Sequence, residues 1–269
     1  MKTLFSFLFA GLLFAACGST SSNRGAQRAQ NQVDRTKAPV QYGVVVKAVY
    51  PHSRNAYTQG LEFSDGVLWE GTGQNGESRL QHIDLQTGKE SVVNRLPASE
   101  FGEGITLMDG RIYQLTWMDN KAYVYDQNTG RVLRTHRYSG EGWGLANDGK
   151  TIYKSTGSAK IYRLDPETFR QTGSVTVTVE GEVVPLINEL EWIDGRIWAN
   201  VYMTDQILII DPQTGIAEGV VDCTGLLPAE DYEEGTDVLN GIACDAQTGK
   251  IYLTGKNWPK IFEVELVRK

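Results

Sequence analysis

Six residues of this 269-residue chain stand seven positions from the glycine of a recurring turn, and two more stand close to that count. Counting seven back from Gly66, Gly110, Gly149 and Gly195 reaches Gln59, Glu103, Gly142 (beside Trp143) and Asn188. The fifth copy offers Asn240 in the phrase Leu239-Asn240-Gly241-Ile242, and counting seven forward reaches Trp117, Tyr202 and Lys256. If these positions converge, one pocket holds a carboxylate, an ammonium, several amides and three large aromatic rings. Apolar walls with a few convergent polar groups suit a small polar ligand, and the chemistry on offer is proton transfer by a carboxylate. Nothing in the chain reads as a Ser-His-Asp set or a phosphate loop. His52, His82 and His136 fall in no HExxH-type spacing, and three cysteines are too few for a four-cysteine zinc site, so no metal and no cofactor are expected.

The turn itself repeats as Asp65-Gly66-Val67-Leu68-Trp69, Asp109-Gly110-Arg111-Ile112-Tyr113, Asp148-Gly149-Lys150-Thr151-Ile152-Tyr153, Asp194-Gly195-Arg196-Ile197-Trp198 and Gly249-Lys250-Ile251-Tyr252. Asp-Gly between apolar runs marks a tight hairpin, because the primed turns need positive φ. A second phrase follows in four units, Asp84-x-x-Thr87, Asp126-x-x-Thr129, Asp165-x-x-Thr168 and Asp211-x-x-Thr214, and a fifth copy, Asp245-x-x-Thr248, doubles as the first turn of the last unit. Each unit therefore reads as four antiparallel strands in roughly 45 residues, the length of a propeller blade. The expected fold is all-β, a five-bladed β-propeller over residues 40–269. Its last unit is one strand short, so the run Val40 to Tyr50 is expected to close the ring by pairing into that blade. In such a fold, residues equally far before and after the first turn share one rim of the central tunnel.

The N-terminus reads as an address. Lys2 precedes an uncharged stretch, Leu4 to Ala16, which has the length of a secretory h-region and ends Leu13-Phe14-Ala15-Ala16-Cys17, a lipobox-like phrase. Residues 1–16 are expected to be a lipoprotein signal peptide. Residues 17–39 would then be a lipidated Cys17 and a flexible Ser-, Asn-, Gln- and Arg-rich tether, giving an exported protein, lipid-anchored in a bacterial cell envelope. A net charge of −7 without a basic run speaks against nucleic acid as a partner. The chain is expected to act as a monomer, with Cys223 and Cys244 as two buried thiols.

The rim phrases carry a family likeness. Tyr57-Thr58-Gln59-Gly60-Leu61, Phe101-Gly102-Glu103-Gly104-Ile105, Leu115-Thr116-Trp117, Glu141-Gly142-Trp143-Gly144-Leu145, Leu186-Ile187-Asn188-Glu189-Leu190-Glu191, Ala199-Asn200-Val201-Tyr202, Leu239-Asn240-Gly241-Ile242 and Thr254-Gly255-Lys256-Asn257-Trp258-Pro259 resemble, in order and in every blade, the plant and bacterial glutamine cyclotransferases. The resemblance implies a five-bladed propeller that converts N-terminal glutamine of peptides and proteins to pyroglutamate with release of ammonia. It implies Glu103 as the acid–base carboxylate, Gln59, Asn188 and Lys256 as polar contacts, and Phe101, Trp117 and Trp143 as walls. Tyr57 stands where the family often has Phe and Tyr202 where Trp is common, which bears on substrate fit. In that reaction Asn188 or Lys256 would stabilise the oxyanion, while Gln59 and Asn240 would bind the substrate amide or backbone; Lys256 as proton carrier, with Glu103 its counter-ion, is the alternative. Asn200 and Glu189 read equally well as groups that satisfy strand ends, and His52 as a loop residue. The competing class is a non-catalytic propeller lipoprotein that binds a peptide or sugar at the same rim.

Overall fold

The computed structural model describes residues 34–269; the leader, Cys17 and most of the tether lie outside the described residues. Those residues form an all-β fold, whose one helical element is a short 3-10 turn at Ala229–Asp231. Three sheets have four strands each, in chain order: Thr58–Ser64 to Lys89–Arg95, Gly102–Met108 to Val132–Arg137, and Leu145–Asn147 to Gln171–Thr176. A larger sheet of eight strands joins Ile187–Ile193 through Ala217–Asp222 to Val40–Pro51, Lys260–Arg268, Lys250–Gly255 and Leu239–Asp245.

Both repeated phrases do local work. Asp65 and Gly66, Asp109 and Gly110, and Asp194 and Gly195 all have positive φ, the conformation of a type I′ hairpin turn. In the second phrase the Asp carboxylate accepts from the Thr three residues on. Asp126 Oδ1 takes the Thr129 amide at 2.8 Å and its hydroxyl at 2.7 Å, and Asp165 and Thr168 repeat the pair at the same distances. These self-contained turns set strand register without help from the core.

Apolar cores lie between successive sheets. Leu80 of the first sheet packs with Ile105 and Ile112 of the second, Tyr113 and Leu115 with Leu145 and Ile152 of the third, and Ile161 with Ile197 and Leu208. Another cluster joins Ile207 and Val221 to Leu253 and Phe262, and a last one joins Ala243, Tyr252 and Ile261 back to Leu61 and Leu68. Each such side chain contributes roughly 1.5–3 kcal/mol by burial, so the sheets are held face to face. Their first strands also touch in cyclic order: Thr58–Ser64 meets Gly102–Met108, which meets Leu145–Asn147, then Ile187–Ile193, then Leu239–Asp245, which meets Thr58–Ser64 again. Two glycines allow this approach. A Cβ on Gly104 would stand only 2.7 Å from the backbone of Gly144, and one on Gly144 would run into the carbonyl oxygen of Asn188.

The run Val40–Pro51 pairs antiparallel with Lys260–Arg268, from Tyr42 opposite Arg268 to Pro51 opposite Lys260. It also pairs in parallel with the preceding unit, Val40–Gly43 against Gly219–Asp222, a join absent from the sequence expectation. This second pairing is what merges two four-stranded units into the sheet of eight. Cys223 is buried and Cys244 only half-buried; both are free thiols.

Candidate active site

The same irregularity occurs where four of the expected site residues sit. Pairing runs Thr58 to Thr72 and then Gly60 to Gly71, which leaves Gln59 in a bulge. Glu103 lies in the bulge between Gly102 and Ile105, Asn188 in that between Ile187 and Leu190, and Asn240 in that between Leu239 and Ile242. A bulge turns a side chain out of the regular alternation of the strand, and here it does so at the same end of the first strand in four units.

Three of the re-aimed side chains, those of Gln59, Glu103 and Asn188, meet in a cavity of about 280 Å³ lined by Tyr57, Gln59, Gln74, Phe101, Glu103, Trp117, Trp143, Asn188, Tyr202 and Lys256. Nine of these are sequence-predicted site residues; the tenth, Gln74, is not. Edge-on aromatic contacts build the walls: Tyr57 with Phe101 at 6.1 Å between centroids, Phe101 with Trp117 at 5.8 Å, and Trp143 with Tyr202 at 5.5 Å. The Lys256 ammonium lies 4.8 Å from the Tyr57 ring centroid and 5.0 Å from that of Tyr202. Two rings thus hold a cation that has no carboxylate within ion-pairing distance among the described residues.

Glu103 is 4% exposed, and Oε1 accepts from Gln59 Nε2 at 3.0 Å. Burial pushes its carboxyl well above the usual range; the positive charge of Lys256 opposes that shift and the negative charge of Glu141 adds to it. Burial likewise lowers the Lys256 ammonium, against the pull of Glu103 and Asp237. Both groups are therefore displaced toward neutrality, as acid–base chemistry near pH 7 requires. Oδ1 of Asn188 is buried without a protein partner, an acceptor left for whatever occupies the pocket.

A family model described as glutamine cyclotransferase matches residues 12–266. The chain belongs to the glutamine cyclotransferase family. A relative from Arabidopsis thaliana named glutaminyl-peptide cyclotransferase is 38% identical over 229 residues, 83% of this chain and 71% of the relative. The crystal structure of Myxococcus xanthus glutaminyl cyclase superposes with a TM-score of 0.80 at 36% identity, covering 86% of this chain and 99% of that one.

Other polar residues of this family member stand behind the pocket. Asn240, expected as a substrate contact, is fully buried outside the wall, where Nδ2 donates to Thr58 O at 2.9 Å and to Gln59 Oε1 at 3.4 Å. It orients the residue that holds Glu103. Glu189 accepts the backbone amides of Leu61 at 3.3 Å and Ile242 at 3.1 Å, and Asn200 accepts that of Gly241 at 3.1 Å. Glu189 thus joins the first strand of its unit to those of two others, and Asn200 joins the second strand of the same unit to the first strand Leu239–Asp245. His52 is a buried anchor beneath the site: its ring meets Trp258 O at 2.8 Å and Glu70 at 3.1 Å, and Glu70 also takes the Thr58 hydroxyl at 2.7 Å. Among the described residues no group of three His, Cys, Asp or Glu is arranged to hold a metal ion.

Sequence counting missed two residues at the pocket. Gln74 follows Gly73, the rim position of the first unit, and reaches the cavity through a left-handed turn with φ 83°. Glu141 precedes the Gly142 at which the count lands, and Oε2 accepts both indole N–H groups, Trp117 at 2.7 Å and Trp143 at 2.8 Å.

Proposed function

We propose that this chain carries out its family's reaction, cyclisation of N-terminal glutamine to pyroglutamate with loss of ammonia, in the pocket around Glu103, and that its architecture is a five-bladed propeller closed by Val40–Pro51. Five four-stranded units, first strands touching in cyclic order, and pairing of Val40–Pro51 with the last strand support the architecture. The observation that carries the function is a buried carboxylate inside an aromatic box, in a chain that matches the family model over nearly its whole length.

Nucleophile and electrophile belong to one substrate molecule, so the enzyme's first task is orientation. The rings of Tyr57, Phe101, Trp117, Trp143 and Tyr202 exclude extended conformers and hold the α-amine against the γ-carbonyl carbon. The amine nitrogen bonds to that carbon while Glu103 takes the amine proton. Asn188 or Lys256 faces the carbonyl oxygen as it becomes negative. The C–N bond of the side-chain amide then breaks and Glu103 returns the proton to the departing nitrogen, leaving a five-membered lactam and ammonia. One carboxylate thus serves both proton steps, and its raised proton affinity brings it closer to the amine, whose ordinary value is about 7.7–8.0.

Incubation with a Gln-initiated peptide tests the reading. Mass spectrometry should show a loss of ~17 Da together with free ammonia. An unchanged peptide under conditions where the protein is folded overturns it.

The chain is further proposed to be an exported protein anchored through an acylated Cys17, on the strength of the lipobox-like phrase alone. Cys17→Ser should abolish labelling by radioactive palmitate; labelling at the wild-type level removes the anchor.

A further inference from the structure

We propose that Glu141 is a positioning residue, a clasp that joins the indoles of Trp117 and Trp143 and so fixes the spacing of two pocket walls. The inference rests on the proposed function for its kinetic consequences and on geometry alone for the clasp. Trp117 follows the second strand of the second sheet, whereas Trp143 precedes the first strand of the third. No backbone element makes their side chains one unit, yet a single oxygen, Oε2 of Glu141, receives both N–H groups at 2.7 and 2.8 Å. An indole N–H at a pocket wall would otherwise turn to water or to substrate.

The clasp is itself held on both sides. The Gly142 amide donates to Trp117 O at 3.1 Å, and Lys154 Nζ donates to Glu141 O at 2.9 Å. Lys154 is 4% exposed and sits 4.3 Å from the Tyr138 ring centroid, while the Tyr138 hydroxyl donates to Thr116 O beside Trp117. This buried ammonium has no carboxylate partner among the described residues, so its strongest acceptor is the Glu141 carbonyl. The segment Glu141–Trp143 is thereby fixed to the end of the second sheet, and the carboxylate cannot swing away from the indoles without breaking bonds that cross the join.

The charge has a second consequence. Glu103 is faced by Lys256, by Glu141 and by the phenols of Tyr57, Tyr138 and Tyr202. Of these Glu141 is the one negative charge, and it favours the protonated form of Glu103. A neutral replacement lets Glu103 ionise at lower pH.

The test compares Glu141→Ala, Glu141→Gln and the unaltered full-length protein, with ¹⁵N-indole NMR as a readout that needs no turnover. In Glu141→Ala the Trp117 and Trp143 N–H resonances should move upfield, and KM for a Gln-initiated peptide should rise about tenfold, the effect of losing hydrogen bonds to a charged acceptor. Glu141→Gln keeps an oxygen in place, so KM should stay within about twofold of wild type. Its acid limb should shift to lower pH, and both indole resonances should shift by a smaller amount. Unchanged indole resonances in Glu141→Gln overturn the clasp even if the alanine variant does not fold. A wild-type KM in a folded Glu141→Ala overturns the positioning role. Shifted resonances in a protein that never releases ammonia would keep the clasp and defeat the functional reading instead.

Discussion

Gln59 and Glu103 are joined by a 3.0 Å hydrogen bond from Nε2 to Oε1, although they come from different sheets and stand 44 residues apart. Both lie in bulges, and Asn240 holds the far end of the Gln59 amide. The bond leaves Oε2 of Glu103 as the oxygen free to exchange a proton. Gln59→Leu should remove the bond while keeping the volume. Turnover is then expected to fall about tenfold, as for loss of one hydrogen bond to a charged group, with a smaller change in KM. A wild-type rate constant would show that Glu103 needs no such support.

Glu103→Gln keeps size and hydrogen bonding but cannot accept the amine proton. Turnover should fall by about 10²-fold or more while binding of Gln peptides changes little. If Lys256 is the proton carrier, Lys256→Met abolishes turnover and Glu103→Gln only moves the pH optimum. Full pH–rate profiles of both variants distinguish the two assignments.

Val40–Pro51 bridges two units, so removing it opens two strand edges at once. Deletion of residues 1–50 should cause aggregation or a large drop in melting temperature, whereas deletion of residues 1–38 should leave stability and activity intact. Equal melting temperatures would show that closure contributes nothing.

Burial pushes the Glu189 and Glu191 carboxyls well above the usual range, with the negative charge of Glu62 adding to both shifts, whereas Thr partners hold the Asp126 and Asp165 carboxylates below it. Burial pushes Glu62 up to about 7 against hydrogen bonds from Thr106 and Leu107. A carboxyl raised on folding contributes its full stability below its unfolded value of about 4.3 and loses it as pH climbs through the folded one. Glu62→Gln removes that loss. The melting temperature of the variant minus that of wild type should therefore grow between pH 5 and pH 8; a constant difference would mean that Glu62 does not titrate there.

Met203 follows the wall residue Tyr202 with φ 66° and is 65% exposed. The left-handed conformation costs roughly 1–2 kcal/mol in a residue with a Cβ, and little packing offsets it. Met203→Gly should raise stability by up to about 1 kcal/mol in urea unfolding, since glycine also gains freedom in the unfolded chain. Destabilisation would mean that the methionine makes contacts worth more than its strain.

Turn chemistry acts within four residues, which is why the sequence alone determined so much here. Asp-Gly and Asp-x-x-Thr set strand ends locally, and equal counts from a hairpin turn bring Gln59, Glu103, Trp117, Asn188, Tyr202 and Lys256 to one rim. The resemblance then added Tyr57 and Phe101, and both line the cavity. Other features depend on atoms that approach only when sheets pack. The bulges that aim Gln59 and Glu103 arise where neighbouring first strands crowd at Gly60, Gly104 and Gly144. Asn240 falls behind Gln59 because the fifth unit meets the first there, and no count within a repeat reports a contact between the first and last repeats. Gln74 enters through a left-handed turn that its residue type does not announce. Glu141 gains its place from two indoles on different sheets. The displaced proton affinities of Glu103 and Lys256 are likewise properties of burial and of each other's distance, and those exist only in the folded chain.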